Sequence, residues 1–144
     1  MSARVVVREF RFPDDHAASL KLWAAMEIGV QAGRSDSLEE IQKKLQRDPD
    51  LFLVAVVDEN IVGTIIGGFD GRRGMIYHLA VQADARQHGI GAALLQEVES
   101  RLQAKGCKKC YLLVSADNIN AMKFYEHHNW REVKEDRVFG KEFP

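Results

Sequence analysis

Ile76-Tyr77-His78-Leu79-Ala80-Val81, then a polar loop, then Arg86-Gln87-His88-Gly89-Ile90-Gly91 is a strand that runs through a glycine turn into a helix. The helix is marked by its apolar stripe. Ile90, Leu94, Leu95, Val98 and Leu102 recur at helical spacing, and Gly106 stands where such a helix stops. A helix start carries unpaired N–H groups and a positive partial charge. Glycines there let a phosphate group approach the backbone. Arg86 and His88 add positive character at the rim. The plain alternative is a glycine-rich helix start that binds nothing, since two glycines alone are a weak signal.

Known phosphate loops fit this stretch poorly. It contains no G-x-x-x-x-G-K-[ST] pattern. Gly89-Ile90-Gly91 imitates the start of a dinucleotide fingerprint, but Leu94 fills the third glycine position.

Working outward, residues 51–57, 61–69 and 75–81 read as an antiparallel meander. The first turn is Asp58-Glu59-Asn60, and the second spans 70–74. Gly63, Gly67 and Gly68 suggest close packing or a bulge in the middle strand. Upstream, residues 5–10 read as a strand. A helix opens at Pro13-Asp14, carries Leu20, Trp23, Ala24 and Glu27-Ile28, and ends at Gly29 or Gly33. A second helix over 38–46 follows the Ser37-x-x-Glu40 capping pattern. Downstream, 109–114 reads as a strand buried on both faces, 118–128 as a helix, and 130–133 and 138–143 as last strands. The expectation is one α/β (α+β) domain over 1–144, with a central mixed, mostly antiparallel sheet and helices on both faces.

Composition narrows the function. The chain has 144 residues, 20 basic against 21 acidic, a formal net charge of −1, and 46% hydrophobic residues. That balance lacks the basic footprint of a nucleic-acid binder. Mean hydropathy is −0.26, and no apolar run reaches the ~18 residues of a membrane span. The first residues have no apolar core of a secretion signal. The expected setting is therefore cytoplasmic, without membrane or nucleic-acid partners. Two cysteines make no disulfide framework. Cys107-x-x-Cys110 lacks the second pair of a zinc site, and adjacent His127 and His128 point about 100° apart on a helix. No metal is expected.

Two separated segments resemble a known family. Arg86-Gln87-His88-Gly89-Ile90-Gly91 is similar to the Q/R-x-x-G-x-G/A signature of the GNAT superfamily of acyl-CoA-dependent N-acetyltransferases, and Leu79-Ala80-Val81 resembles the strand end before it. Asn118-Ile-Asn-Ala121-Met-Lys-Phe124-Tyr125-Glu126 resembles the family's N-x-x-A-x-x-F/L-Y-E segment, at the expected separation. The resemblance covers essentially the whole chain, and its middle looks most like the small bacterial YpeA-like branch.

The resemblance implies acetyl-CoA as co-substrate, held on its pyrophosphate by Arg86, Gln87, His88, Gly89, Ile90, Gly91 and Ala92. Pantetheine would lie along the backbone of Leu79, Ala80 and Val81, with Asn118 as a further contact. Tyr125 stands where the family places the acid for the leaving thiolate. The implied reaction is direct attack by a small-molecule or peptide amine.

The chain also departs from the pattern. Asn129-Trp130 replaces Gly-Phe, which asparagine's tolerance of a left-handed turn accommodates. Leu113 stands where related protein N-terminal acetyltransferases carry a basic glutamate. His78 is the leading substitute base, with Tyr77 on the opposite face of the strand and Glu27 and Asp70 as further candidates. Against these stand plainer roles: a core tyrosine at 125, an ordinary strand histidine at 78, and a solvated His88. The second functional reading is a CoA-binding sensor or interaction module without turnover. Association as a homodimer is compatible with the sequence.

Overall fold

The computed structural model describes residues 4–26 and 33–144. The elements are β1 (Val5–Glu9), α1 (His16–Ala24), α2 (Leu38–Arg47), β2 (Phe52–Val57), β3 (Asn60–Phe69), β4 (Gly74–Val81), α3 (Ile90–Ala104), β5 (Cys110–Leu112) and α4 (Ile119–His127). Short 3-10 turns sit at Arg34–Asp36 and Ala83–Ala85. α1 ends at Ala24, short of the Gly29 or Gly33 expected from the sequence; the Ala25 N–H closes the last turn onto the Lys21 and Leu22 carbonyls. Glu27, Ile28 and Gly29 lie outside the described residues.

The five strands form one sheet in the order β1-β2-β3-β4-β5. The first three pairings are antiparallel and β4–β5 is parallel. Asp58 and Glu59 both take positive φ, 49° and 66°, as a two-residue hairpin turn requires.

Two apolar layers flank the sheet. On one side Ile90, Leu94, Leu95, Val98 and Leu102 of α3 pack against Leu51, Leu53, Ile65 and Ile76. On the other, Leu22 and Trp23 of α1 and Ile41 of α2 pack against Phe52, Val54 and Ile66. A Cβ on Gly67 would lie 2.7 Å from Val98 Cγ2, and one on Gly63 3.0 Å from Leu94 Cδ1. The middle strand is therefore glycine-rich because α3 lies directly on it. Ser37 Oγ accepts from the Glu40 N–H and caps α2.

Two further expectations need correction. Residues 130–133 and 138–143 form no strand. Trp130 packs against the α3-side cluster without joining the sheet, and the apolar side chains of the second run find no sheet face: Val138 and Phe143 are exposed and Phe139 is 94% exposed. The run 131–137 carries six charges, which a half-buried strand disfavours. The strand expected over 109–114 is also shorter and only half-buried, because it lies at the sheet edge with β4 as its one partner among the described residues.

Candidate active site

The site begins at a fault in β4. Thr64 pairs with Ala80 but Ile66 pairs with Tyr77, so Ile65 faces two residues, His78 and Leu79. This is a β-bulge, and His78 takes the left-handed conformation at φ 53°. A buried chain of polar groups holds it. Trp23 Nε1 donates to Thr64 Oγ1 (2.8 Å), and Thr64 Oγ1 donates to the His78 carbonyl (2.9 Å). Trp23 and Thr64 are both fully buried, where an unmade hydrogen bond would cost about 1–3 kcal/mol.

The bulge also changes which way side chains point. Strand alternation predicts Tyr77 opposite His78. Instead both line one cavity, with ring centroids 5.7 Å apart. The extra residue breaks the two-residue alternation that an unbroken strand would keep.

Beyond the bulge β4 leaves β5. The parallel pairing covers only Gly74–Cys110, Met75–Tyr111 and Ile76–Leu112. The Gln82 N–H donates to the Val62 carbonyl on the β3 side (2.8 Å). Backbone groups alternate edges along a strand, so those of Leu79 and Val81 face the widening gap. Arg86 Nε donates to the Val81 carbonyl there (3.0 Å). Ala80 turns its side chain into the core and Leu79 packs against the α3-side cluster. Leu113, just past the end of β5, is 63% exposed.

The glycine turn closes one end of the gap. Gln87 and Gly89 take positive φ, 68° and 76°. Gly89 is the N-cap of α3, with no side-chain cap and no acidic residue in the first turn. The N–H groups at this helix start therefore have no anionic side chain of their own to meet. Gln87 and His88 are exposed, and the Ile90 side chain is core. Ala92 is half-buried in the first turn of α3. A Cβ on Gly91 would sit 3.4 Å from the Phe124 ring, and 3.7 Å from Val81, so α4 lies close to this turn.

Asn118 N-caps α4, its Oδ1 accepting from the Ala121 N–H (3.2 Å). Tyr125 packs against the α3-side cluster, edge-on to Phe124 and Trp130. Burial pushes its hydroxyl up to about 12, so it stays protonated at neutral pH. Asn129 takes φ 71°, as its place after the helix predicts. Trp130 Nε1 donates to Glu99 on α3.

The other side of the sheet holds what sequence reasoning missed. His78 Nε2 lies 2.9 and 3.0 Å from the two carboxylate oxygens of Asp36, and Trp23 lies against the imidazole at 4.6 Å. A cavity of about 380 Å³ opens over this pair, lined also by Tyr77, Lys44, Arg34 and Glu142. Burial lowers the Lys44 ammonium pKa, with partial compensation from Asp48 at 2.8 Å. Burial raises the Tyr77 hydroxyl, and the charges of Asp48 and Asp36 add to that. No local pattern marks Asp36, whose partner is 42 residues away.

Asp70 has a turn-forming role instead. Its Oδ1 accepts from the Arg72 and Arg73 N–H groups, both at 2.7 Å, which holds its carboxyl below the usual range. A second, more open hollow of about 500 Å³ lies along Val7–Arg11 beside Arg101 and holds none of these residues. Among the described residues no group of three or more metal-ligating side chains comes together, and no helix is long and apolar enough to cross a membrane.

Residues 17–130 match the profile of the Acetyltransferase (GNAT) family. The chain belongs to this family. It is 41% identical over 127 residues to an acetyltransferase of Pectobacterium atrosepticum, covering 88% of each chain. It is 44% identical over 135 residues to one of Photorhabdus laumondii, covering 92% of this chain and 90% of that one. Among solved structures, a Mycobacterium tuberculosis protein in complex with CoA superposes with a TM-score of 0.70 at 21% identity, over 89% of this chain and 72% of that one.

Proposed function

We propose that this GNAT acetyltransferase moves the acetyl group of acetyl-CoA to an amine, small-molecule or peptide, within a ternary complex. The observation that carries the reading is the gap between β4 and β5. It has an uncapped helix start at one end and a histidine and a protonated tyrosine on opposite faces of the sheet. The CoA-bound solved relative supports the choice of co-substrate.

In this reading the N–H groups of the turn from Arg86 to Ala92 take the pyrophosphate. Gln87 and His88 contribute at the exposed rim, and Ile90 through its backbone alone. Pantetheine runs along the free edge of Leu79-Ala80-Val81, where one N–H polarises the thioester carbonyl. Asn118 contributes its side-chain amide, since its Oδ1 caps α4.

The amine attacks the acetyl carbon. A C–N bond forms and the C–S bond breaks. His78 takes the proton the amine sheds, and Tyr125 gives its proton to the departing thiolate. Solvent returns the proton from His78 to Tyr125. Holding amine and thioester side by side removes part of the barrier before any proton moves, on the order of 7–11 kcal/mol in ideal cases.

The test is thiol release from acetyl-CoA with a panel of amines: spermidine, benzylamine, an aminoglycoside and a peptide with a free N-terminus. Tyr125→Phe should lower kcat by roughly 10²–10⁴-fold while acetyl-CoA affinity stays unchanged. Turnover by Tyr125→Phe equal to the parent protein would remove the acid from the mechanism. Thiol release that no amine accelerates would remove the acetyl transfer.

A further inference from the structure

The Asp36–His78 pair is built more firmly than a surface ion pair. Asp36 is only 6% exposed. Its Oδ2 also accepts from the Gly33 N–H (2.9 Å), and its carbonyl lies 2.9 Å from His16 Nε2 on α1. The 3-10 turn is thereby tied to α1 at its carbonyl and to β4 at its carboxylate. On the other side, Trp23 and the Thr64 hydroxyl fix the ring and the backbone of His78.

The chemistry of the contact sets the tautomer. A carboxylate only accepts hydrogen bonds, so the imidazole nitrogen beside it, Nε2, carries the hydrogen. Nδ1 then holds the lone pair, and it has no hydrogen-bond partner among the described residues. The other charged groups around the cavity are engaged or stand off. Lys44 is bonded to Asp48, Arg34 donates to the Phe143 carbonyl, and Glu142 lies at the wall.

We infer that Asp36 is the positioning residue for His78: its carboxylate holds Nε2–H, leaves the Nδ1 lone pair to receive the amine proton, and stabilises the imidazolium that forms. This rests on the reading of His78 as base. The logic is that of any carboxylate that orients a histidine base. It also accounts for the missing glutamate at Leu113. The base comes from the kink in β4, and its orienting group from the turn before α2.

The first readout needs no acceptor. Long-range 15N–1H NMR of the parent protein, followed over a pH series until the ring is neutral, should show His78 as the Nε2–H tautomer; the Nδ1–H tautomer would overturn the inference. The second is kinetic, with benzylamine as the probe amine. Asp36→Asn should lower kcat by on the order of 10²-fold without raising KM for acetyl-CoA, and Asp36→Glu should recover part of the loss. Asp36→Asn with kcat within threefold of the parent, while His78→Gln loses activity, would overturn the role of Asp36 alone. His78→Gln with full kcat would overturn the base assignment and the Asp36 role with it. Should Asp36→Asn fail to fold, the parent tautomer and Asp36→Glu still decide.

Discussion

At the scale of single residues, the proposed site is a set of polar groups whose partners are far apart in sequence. Tyr125 and Asn118 are legible in the sequence because they share one helix with the rest of their motif. His78 is legible as a residue but not in its direction, because the bulge that turns it toward Tyr77's side depends on the register with β3. Asp36 is not legible at all, since only the folded sheet brings its turn to β4. Burial at this scale makes a prediction about pH. It pushes the Cys110 thiol from about 9 up to about 11, with the charges of Cys107 and Glu99 adding, and it pushes Tyr125 from 10 up to about 12. Both groups hold their protons more tightly when folded. Their contribution to stability is complete below about pH 9 and is lost as pH rises through 9–12. Urea midpoints should therefore fall across this range, and Tyr125→Phe should flatten the upper part of the fall. Parallel curves for the two proteins would show that the phenol is not buried as described.

At the scale of elements, close approach explains more than propensity does. The apolar stripe marks α3, and all five stripe residues are buried. Glycines in β3 point to packing or a bulge, and they serve the packing of α3 on the sheet. Gly67→Ala should cost about 1–3 kcal/mol by overpacking against Val98, measured by urea denaturation. Gly140→Ala, with nothing within 4 Å of its new Cβ, is the control and should stay within about 0.5 kcal/mol. Equal effects from the two would contradict the close contact of α3 and β3. The segment after α4 shows the opposite failure. Val138, Phe139 and Phe143 suggest strand by residue type, but strand preference expresses a fit to a half-buried surface. No such surface meets them, so the β-like composition yields no strand.

At the scale of the whole molecule, the meander and the long helix are legible because each carries its own periodicity. The gap between β4 and β5 is not, because a splay is a relation between two strands. Only the family resemblance points to it, and the profile match and the relatives at 41–44% identity bear that resemblance out. A net charge of −1 gives little long-range attraction for a polyanionic cofactor. In the proposed function, binding comes instead from the local helix start and Arg86. Calorimetric titration with acetyl-CoA, using NADH and ATP as controls, tests this most directly. The expected result is a dissociation constant near micromolar, about −8 kcal/mol, with binding abolished by Gly89→Glu, which strains the left-handed cap and places a carboxylate where the proposal puts the pyrophosphate. No heat with acetyl-CoA, or a clear signal for a nucleotide instead, would contradict it.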